Sequence, residues 1–436
     1  MNTVRVPATI AEGYLESLLA GQPRLPASPL AWLNKLRADA VDRVGVLTVP
    51  TLRDEEWRFT DISPLTKLSF HPASEPARLH PADIERFYIE EANTRLVFVD
   101  GVYAPQLSSV AADGVVVANL GAAATDRAIA AHLGQHATFH DNVFAALNTA
   151  FLHDAALIMV PHNMTAGAPV HLLFIATQRE AASYPRCLLL AESGSAVTLI
   201  EDYVALQEAA YFTNAVTEIA LADNARVDHI RVQREGAQAF HIANCAVSLA
   251  RASRYHSVSV ALGARISRYD LNVLQTAEGT QCTVDGLALI ANNQLADTHT
   301  CIDHAQPHGV SRQQHKCIVG GSAHAVFNGK IMVRPGAQRT DSSQASHNLL
   351  LSGSAHVDTK PQLEIFADDV KCTHGATVGQ LDSEEVFYLR SRGLSESAAR
   401  NMLTYAFGAE IIERIPVASL RHRLAQTVLQ QTTIQP

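Results

Sequence analysis

The sequence predicts a mainly β chain: a parallel β-solenoid with helical segments at both ends. Three observations predict it. From about Thr94, short apolar and alternating runs (RLVFVDGVY, ALIMVP, VHLLFIAT, CLLLAES, AVTLIEDY) follow one another between small and polar breakers, the mark of successive strands. No helix-length amphipathic segment is read among them for well over two hundred residues, which argues against a βαβ sheet. A turn signature also recurs: LADNARVD begins at Leu221, LARASRYH at Leu249, TAEGTQCT at Thr276, VGGSAHAV at Val319 and LSGSAHVD at Leu351. The first three starts are 28 and 27 residues apart and the last two 32, with the polar stretch 291–316 in the longer gap. A period of about thirty fits one coil of two or three short strands per repeat. A β-sandwich also spaces strands closely, but it needs neither this many strands nor a recurring turn.

Residues 1–93 are expected to form a helical region. Ser28-Pro29 reads as a helix start, with a cap and then proline at the first position. Leu30, Leu33, Leu36, Ala40, Val41 and Val44 recur at helical spacing, and Gly45 is placed to stop the helix in a left-handed conformation. The segment VPTLRDEEWRFTDISPL around Trp57 reads as a packing strip between domains, with a cleft-lining loop as the alternative. Residues 94–381 make the solenoid core. Residues 382–436 are helical again. SEEVFYLRSRG is capped by Ser383 and closed by Gly393. A second helix is capped by Ser395, carries the stripe Ala399, Leu403, Ala406, Phe407, Ile411 and Ile415, and is halted by Pro416. A third spans about 417–431. Fifty residues of helix make a poor core of their own, so this tail is expected to pack on the solenoid end or on a partner.

Composition narrows the function classes. At 436 residues, two or three domains or one elongated repeat body are expected. With 47% hydrophobic and 18% charged residues the chain is globular. Its net charge of -9 argues against a nucleic-acid or anionic-membrane surface. No 18-residue apolar run spans a bilayer, and the N-terminus lacks the pattern of a secretory leader, so a cytoplasmic protein is expected.

The chemistry is sparse. There is no G-x-x-x-x-G-K-[ST], no G-x-G-x-x-G after a strand and no G-x-S-x-G. Six scattered cysteines without a CxxC read as free thiols, each taken alone as a small buried hydrophobe. The densest His/Cys stretch holds His299, Cys301, Asp303, His304, His308, His315 and Cys317. On an extended strand His299, Cys301 and Asp303 would share a face, but the set matches no standard ligand spacing, and solenoid histidines are more often polar surface or ladder residues. Cys372 and His374 stand two residues apart just after Asp368 and Asp369. If extended, they share a face, and thiolate and imidazole are ligands for zinc, copper and iron–sulfur centres. An iron–sulfur centre needs about four ligand positions, so one cysteine and one histidine imply a site completed by a second chain. Two rival readings stand beside it. One is a β-helix polysaccharide lyase or esterase using Asp368 and Asp369, although the chain is only 6% aromatic and is expected to lack a secretory leader. The other is a structural partner with an inert Cys/His pair.

The segments FNGKIMVRPGAQRTDSSQASHNLLLS (327–352), DTKPQLEIFADDVKCTHGATVGQLD (358–382) and FYLRSRG (387–393), and more loosely PTLRDEEWRFTD (50–61), resemble the SufB/SufD family of iron–sulfur cluster assembly. The SufB pattern carries a cysteine in the segment matching Ala345-Ser346-His347 and His-Glu where this chain has His374-Gly375. Neither is present, so the resemblance is to the SufD side. It implies a right-handed parallel β-helix that pairs with SufB through the β-helix ends, in a non-catalytic scaffold role. It also implies C-terminal helices that dock the ATPase SufC, for which Tyr388, Arg390, Arg392, Leu403 and Phe407 are the candidate contacts. Sulfur would reach SufB from a cysteine desulfurase and its sulfur-transfer partner. A transient Fe–S cluster would form at the SufB–SufD interface with His374 as a ligand and Cys372 as a supporting thiol. ATP-driven dimerisation of SufC would pull on the C-terminal helices and open that interface, with the helix 396–415 as the place for contacts that differ between the two states. The resemblance leaves open a flavin on the complex and a homodimer of this chain.

Overall fold

A computed structural model of the chain describes residues 10–22, 25, 27–73, 76–111, 114–123 and 127–434. Its body is a two-sided parallel solenoid built from an 11-stranded and a 10-stranded sheet. From Phe212 onward each coil gives one strand of about ten residues to each sheet, so a coil holds two long strands in place of two or three short ones. The register steps along one column are Phe212, Phe240, Ile266, Leu295, His324 and His356, which is the period of about thirty that the sequence carries.

One corner explains the recurring turn. Asn224, Ala252, Gly279, His308 and Arg339 all have φ between 54° and 69°. Each N–H donates to a carbonyl in the next coil: Asn224 to Arg251, Ala252 to Glu278, Gly279 to Pro307, His308 to Gln338 and Arg339 to Asp369. The first four acceptors each immediately precede the next left-handed residue, so the turns themselves form a ladder, satisfying groups that would otherwise be orphaned at the corner. The turns beginning at Leu221, Leu249 and Thr276 belong to this corner. Those beginning at Val319 and Leu351 follow strands of the other sheet and lie at the opposite corner. The five similar segments are therefore two turn families, not one.

The N-terminal part departs from the expectation in three places. The helix Ala31–Val44 begins after Leu30, without a side-chain cap; Ser28 Oγ instead accepts from Leu30 N–H. Gly45 has φ -65° and is not left-handed. The helices Arg127–His132 and Val143–Ala150 interrupt the strand region that was expected to be helix-free. The second is short, mostly apolar, capped by Asn142, and buried along its whole length, its Asn148 and Thr149 included, so it offers no amphipathic period to read. Tyr14, Leu18, Ala40, Val44, Phe144 and Leu147 form one apolar cluster over Phe212, Phe240 and Ile266, with Leu295 at its edge. The N-terminal helices thus cover the outer face of the 11-stranded sheet over its middle coils.

The tail covers the other sheet. Ile411, Ile412, Ile415, Leu420, Leu424 and Val428 pack on Ile230, Val232, Val258, Val260, Leu287, Leu289 and Ile318. At about 1.5–3 kcal/mol for each large side chain buried, this interface fixes the tail to the side of the solenoid and not to its end. In the helix Glu396–Ile412 the buried positions are Ala399, Thr404, Gly408, Ile411 and Ile412. Ala406 is exposed, while Leu403 and Phe407 are half-buried. Gly408 permits this rotation, because a Cβ there would stand 3.2 Å from Ile318 Cδ1. Asp382 rather than Ser383 caps the helix Ser383–Ser391, and Ser395 caps the next as expected. Among the described residues no helix is long and apolar enough to cross a membrane.

Candidate functional site: the open terminal coil

The strands His356–Ile365 and Lys371–Gly379 are the last of their sheets. Each pairs with one neighbour and leaves its other backbone edge without a described strand, a template for another chain. Ile365, Phe366 and Val378 are large apolar side chains exposed around this end, the kind of patch that marks an interaction surface.

Cys372 and His374 lie here. Cys372 is in register with Ser342 and His374 with Gln344, both of which are buried. The pair therefore continues columns that run through the solenoid interior. Cys372 is half-buried against the core, whereas His374 is exposed because no further coil covers it. Burial pushes the Cys372 thiol above its ordinary range, a backbone hydrogen bond with Ser342 acts against this, and Asp341 adds to the rise. Cys372 is thus a neutral thiol at neutral pH, and only a cation brought to it would make it a thiolate ligand. Asp368 and Asp369 do not flank the pair. They sit in the turn before it, where Asp369 N–H donates to Gln338 Oε1 and its carboxylate lies 3.8 Å from Arg339.

The His299–Cys317 stretch is dispersed by the fold. His304 is buried on Ser311 Oγ at 2.9 Å, His315 stacks on Phe327 at 4.6 Å, Cys317 is in the core, and Asp303 pairs with Arg334. His299 and Cys301 do share a face, and with Glu56, Trp57, Arg268 and Lys330 they line a cleft of about 680 Å³ under the N-terminal segment. The Trp57 strip is both a packing element and a cleft wall. The Arg268 guanidinium lies 3.8 Å from the Trp57 ring and pairs with Asp270 and Asp297. Thr60 donates to Asp297 at 2.6 Å. Burial pulls the His299 pKa down, but Asp297 and Glu56 override it and hold it at about 9. Burial raises Asp297 in turn, but the Arg268 charge overrides that and leaves it at about 2. This is an ion network that pins the segment rather than a metal centre. The three-ligand cluster that does form among the described residues is His324, His356 and Asp358, which spacing alone did not reveal because its histidines are 32 residues apart and meet only through the register.

The tail residues separate into two groups. Tyr388 is 56% exposed, with Arg392 stacked on its ring, and Arg390 is exposed beside Glu396. Phe387 and Met402 are also exposed and were not among the sequence candidates. Phe407 instead faces the sheet: its carbonyl accepts from Lys316 Nζ, which lies 4.4 Å from its ring.

Residues 9–172 match the family model of the SufBD protein N-terminal region, and residues 174–407 that of the SUF system FeS cluster assembly SufBD core domain. The chain therefore belongs to the SufBD family of the SUF system. It is 42% identical over 414 residues to an iron-sulfur cluster assembly SufBD family protein of Synechocystis, covering 92% of this chain and 91% of the relative. It is also 34% identical to the iron-sulfur cluster assembly protein SufD of Escherichia coli over 389 residues, 88% of this chain and 89% of that one. A chloroplastic protein of Arabidopsis thaliana, ABCI7, is 30% identical over 96% of this chain and 91% of its own length.

Proposed function

We propose that this chain is a cytoplasmic, non-catalytic scaffold subunit of iron–sulfur cluster assembly. It pairs with a SufB-type chain through its open terminal coil and with a SufC-type ATPase through its tail. The observation that carries the reading is the placement of Cys372 and His374: they share a face of the last strand, which has a free edge. Two ligands at an unpaired edge make part of a coordination sphere, and a second solenoid end supplies the remainder. The cluster is cargo, built there and passed on. Cys372 would release its proton to solvent as iron binds its sulfur, while the exposed imidazole of His374 offers a nitrogen without backbone movement.

The tail offers a lever for the ATPase. The exposed helix Ser383–Ser391 joins the terminal strand to the helix Glu396–Ile412, which is clamped to the sheet by Lys316–Glu410 and Arg414–Asp285 pairs. A force on Phe387 and Tyr388 would pass along the chain to the strand carrying His374 and, through packing and the Arg390–Glu396 pair, to the clamped helix. The change needs differential contacts in the two nucleotide states. The test is co-expression with SufB- and SufC-type partners, anaerobic purification, and iron and sulfide analysis. His374→Ala is expected to leave the complex assembled and its cluster content strongly reduced. Unchanged cluster content would leave a scaffold with an inert pair.

A further inference from the structure

The column Phe212, Phe240, Ile266, Leu295, His324, His356 changes character at its end. Its first four members are apolar and packed under or against the N-terminal cluster. Its last two are histidines beyond that cover, in direct register on neighbouring strands. Alternation buries Ala325, Phe327 and Ile331 inside and so turns His324 outward. Cross-strand partners have Cβ atoms about 5 Å apart, and Asp358, two residues after His356, lies on the same face.

The three side chains converge. His324 Nε2 stands 2.8 Å and His356 Nε2 3.2 Å from Asp358 Oδ2. All three ligand atoms lie within 4.8 Å of one another. Ligand atoms in cis positions on an octahedral ion with bonds of about 2.1 Å are about 3 Å apart, so a small rotation of the rings would admit an ion. The set is held on two paired strands rather than on loops. His356 is 65% exposed, and His324 and Asp358 are about one-quarter exposed, which gives an ion a path in and leaves coordination positions for water. Without an ion the same residues form a His–Asp–His hydrogen-bonded cluster, which is the alternative to be excluded.

We propose that His324, His356 and Asp358 form a divalent transition-metal site, distinct from the Cys372/His374 pair on the other sheet. Two imidazoles and one carboxylate with open positions suit ferrous iron as well as zinc or cobalt. The assignment to ferrous iron, as a holding point on the coil where the cluster would be built, rests on the assembly reading; the metal site itself does not.

The test uses the untagged full-length chain, stripped by chelator and titrated with Co²⁺. One equivalent is expected to give d–d bands without sulfur-to-cobalt charge transfer. His324→Ala/His356→Ala and, separately, Asp358→Asn should weaken that equivalent at least tenfold. Cys372→Ala/His374→Ala should retain it. Thermal midpoints of all variants check that they fold. An anaerobic Fe²⁺ titration against a competing chelator repeats the series and tests the iron assignment. The proposal is overturned if the His324/His356 double variant binds like the parent, or if the parent binds nothing beyond what the Cys372/His374 double variant loses. The Cys372/His374 part of the assembly reading fails separately, through unchanged cluster content in the His374→Ala complex.

Discussion

Gln344 is the register partner of His374 on the adjacent strand. Its Nε2 donates to Gln313 Oε1 at 2.8 Å, and Gln313 donates in turn to Thr300 Oγ1. Gln344 Oε1 is buried without a partner. An imidazole N–H brought to that oxygen would orient the ring and fix which nitrogen faces an ion, the role such partners play behind metal ligands.

Gln344→Leu is therefore expected to lower the iron retained by the anaerobic complex about tenfold. Loss of the buried amide bond should also cost about 1–2 kcal/mol of stability. His374→Ala, at an exposed position, should change stability by no more than about 0.5 kcal/mol. Iron analysis together with thermal melts separates the two. Full retention in Gln344→Leu would remove the glutamine from the site.

The N-terminal segment should loosen in alkali. The His299 pKa is raised to about 9, so its stabilising contribution is complete below about pH 6.5 and is lost as pH rises through about 9. The groups facing it are Asp297, Glu56 and Arg268. A shift of this size corresponds to on the order of 3 kcal/mol. His256, held at about 9 between Asp228 and Asp285, adds a second loss in the same window. His299→Gln should flatten part of the decline in unfolding free energy between pH 7 and 10. An unaltered slope would contradict the ion network.

Gly408 sets the approach of the tail helix to the sheet. Gly408→Ile would overpack against Ile318, Leu287 and Val428 and is expected to cost about 1–3 kcal/mol. Gly408→Ala should be near neutral, because a tight methyl contact opposes a helix-propensity gain of about 1 kcal/mol. Denaturant midpoints of the two variants decide it, and equal values would mean that the helix does not pack this closely.

The corner ladder offers a reciprocal pair. Ala252 has φ 54° and Gly279, at the same corner one coil on, has φ 69°. Ala252→Gly should stabilise by about 0.5–1 kcal/mol, and Gly279→Ala should destabilise by about 1 kcal/mol, because the left-handed conformation disfavours a Cβ. Opposite shifts in thermal midpoint are the expected result. Shifts of the same sign would mean that the turns are not equivalent.

Local pattern was enough to define the solenoid, its period of about thirty, the helical tail and the shared face of Cys372 and His374, because alternation and turn chemistry act between residues a few positions apart. The same pattern joined two corner families into one, since both use small polar turns of similar composition. It missed the helix Val143–Ala150, whose uniform burial erases the amphipathic period. It also placed the tail at the solenoid end or on a partner, and it set Ala406 rather than Thr404 and Gly408 on the buried face, because the facing sheet is a long-range partner. Only the tertiary structure brought Thr60 to Asp297, 237 residues away, and His324 to His356 across one coil. Register and cover depend on contacts between distant segments, and no local spacing encodes them.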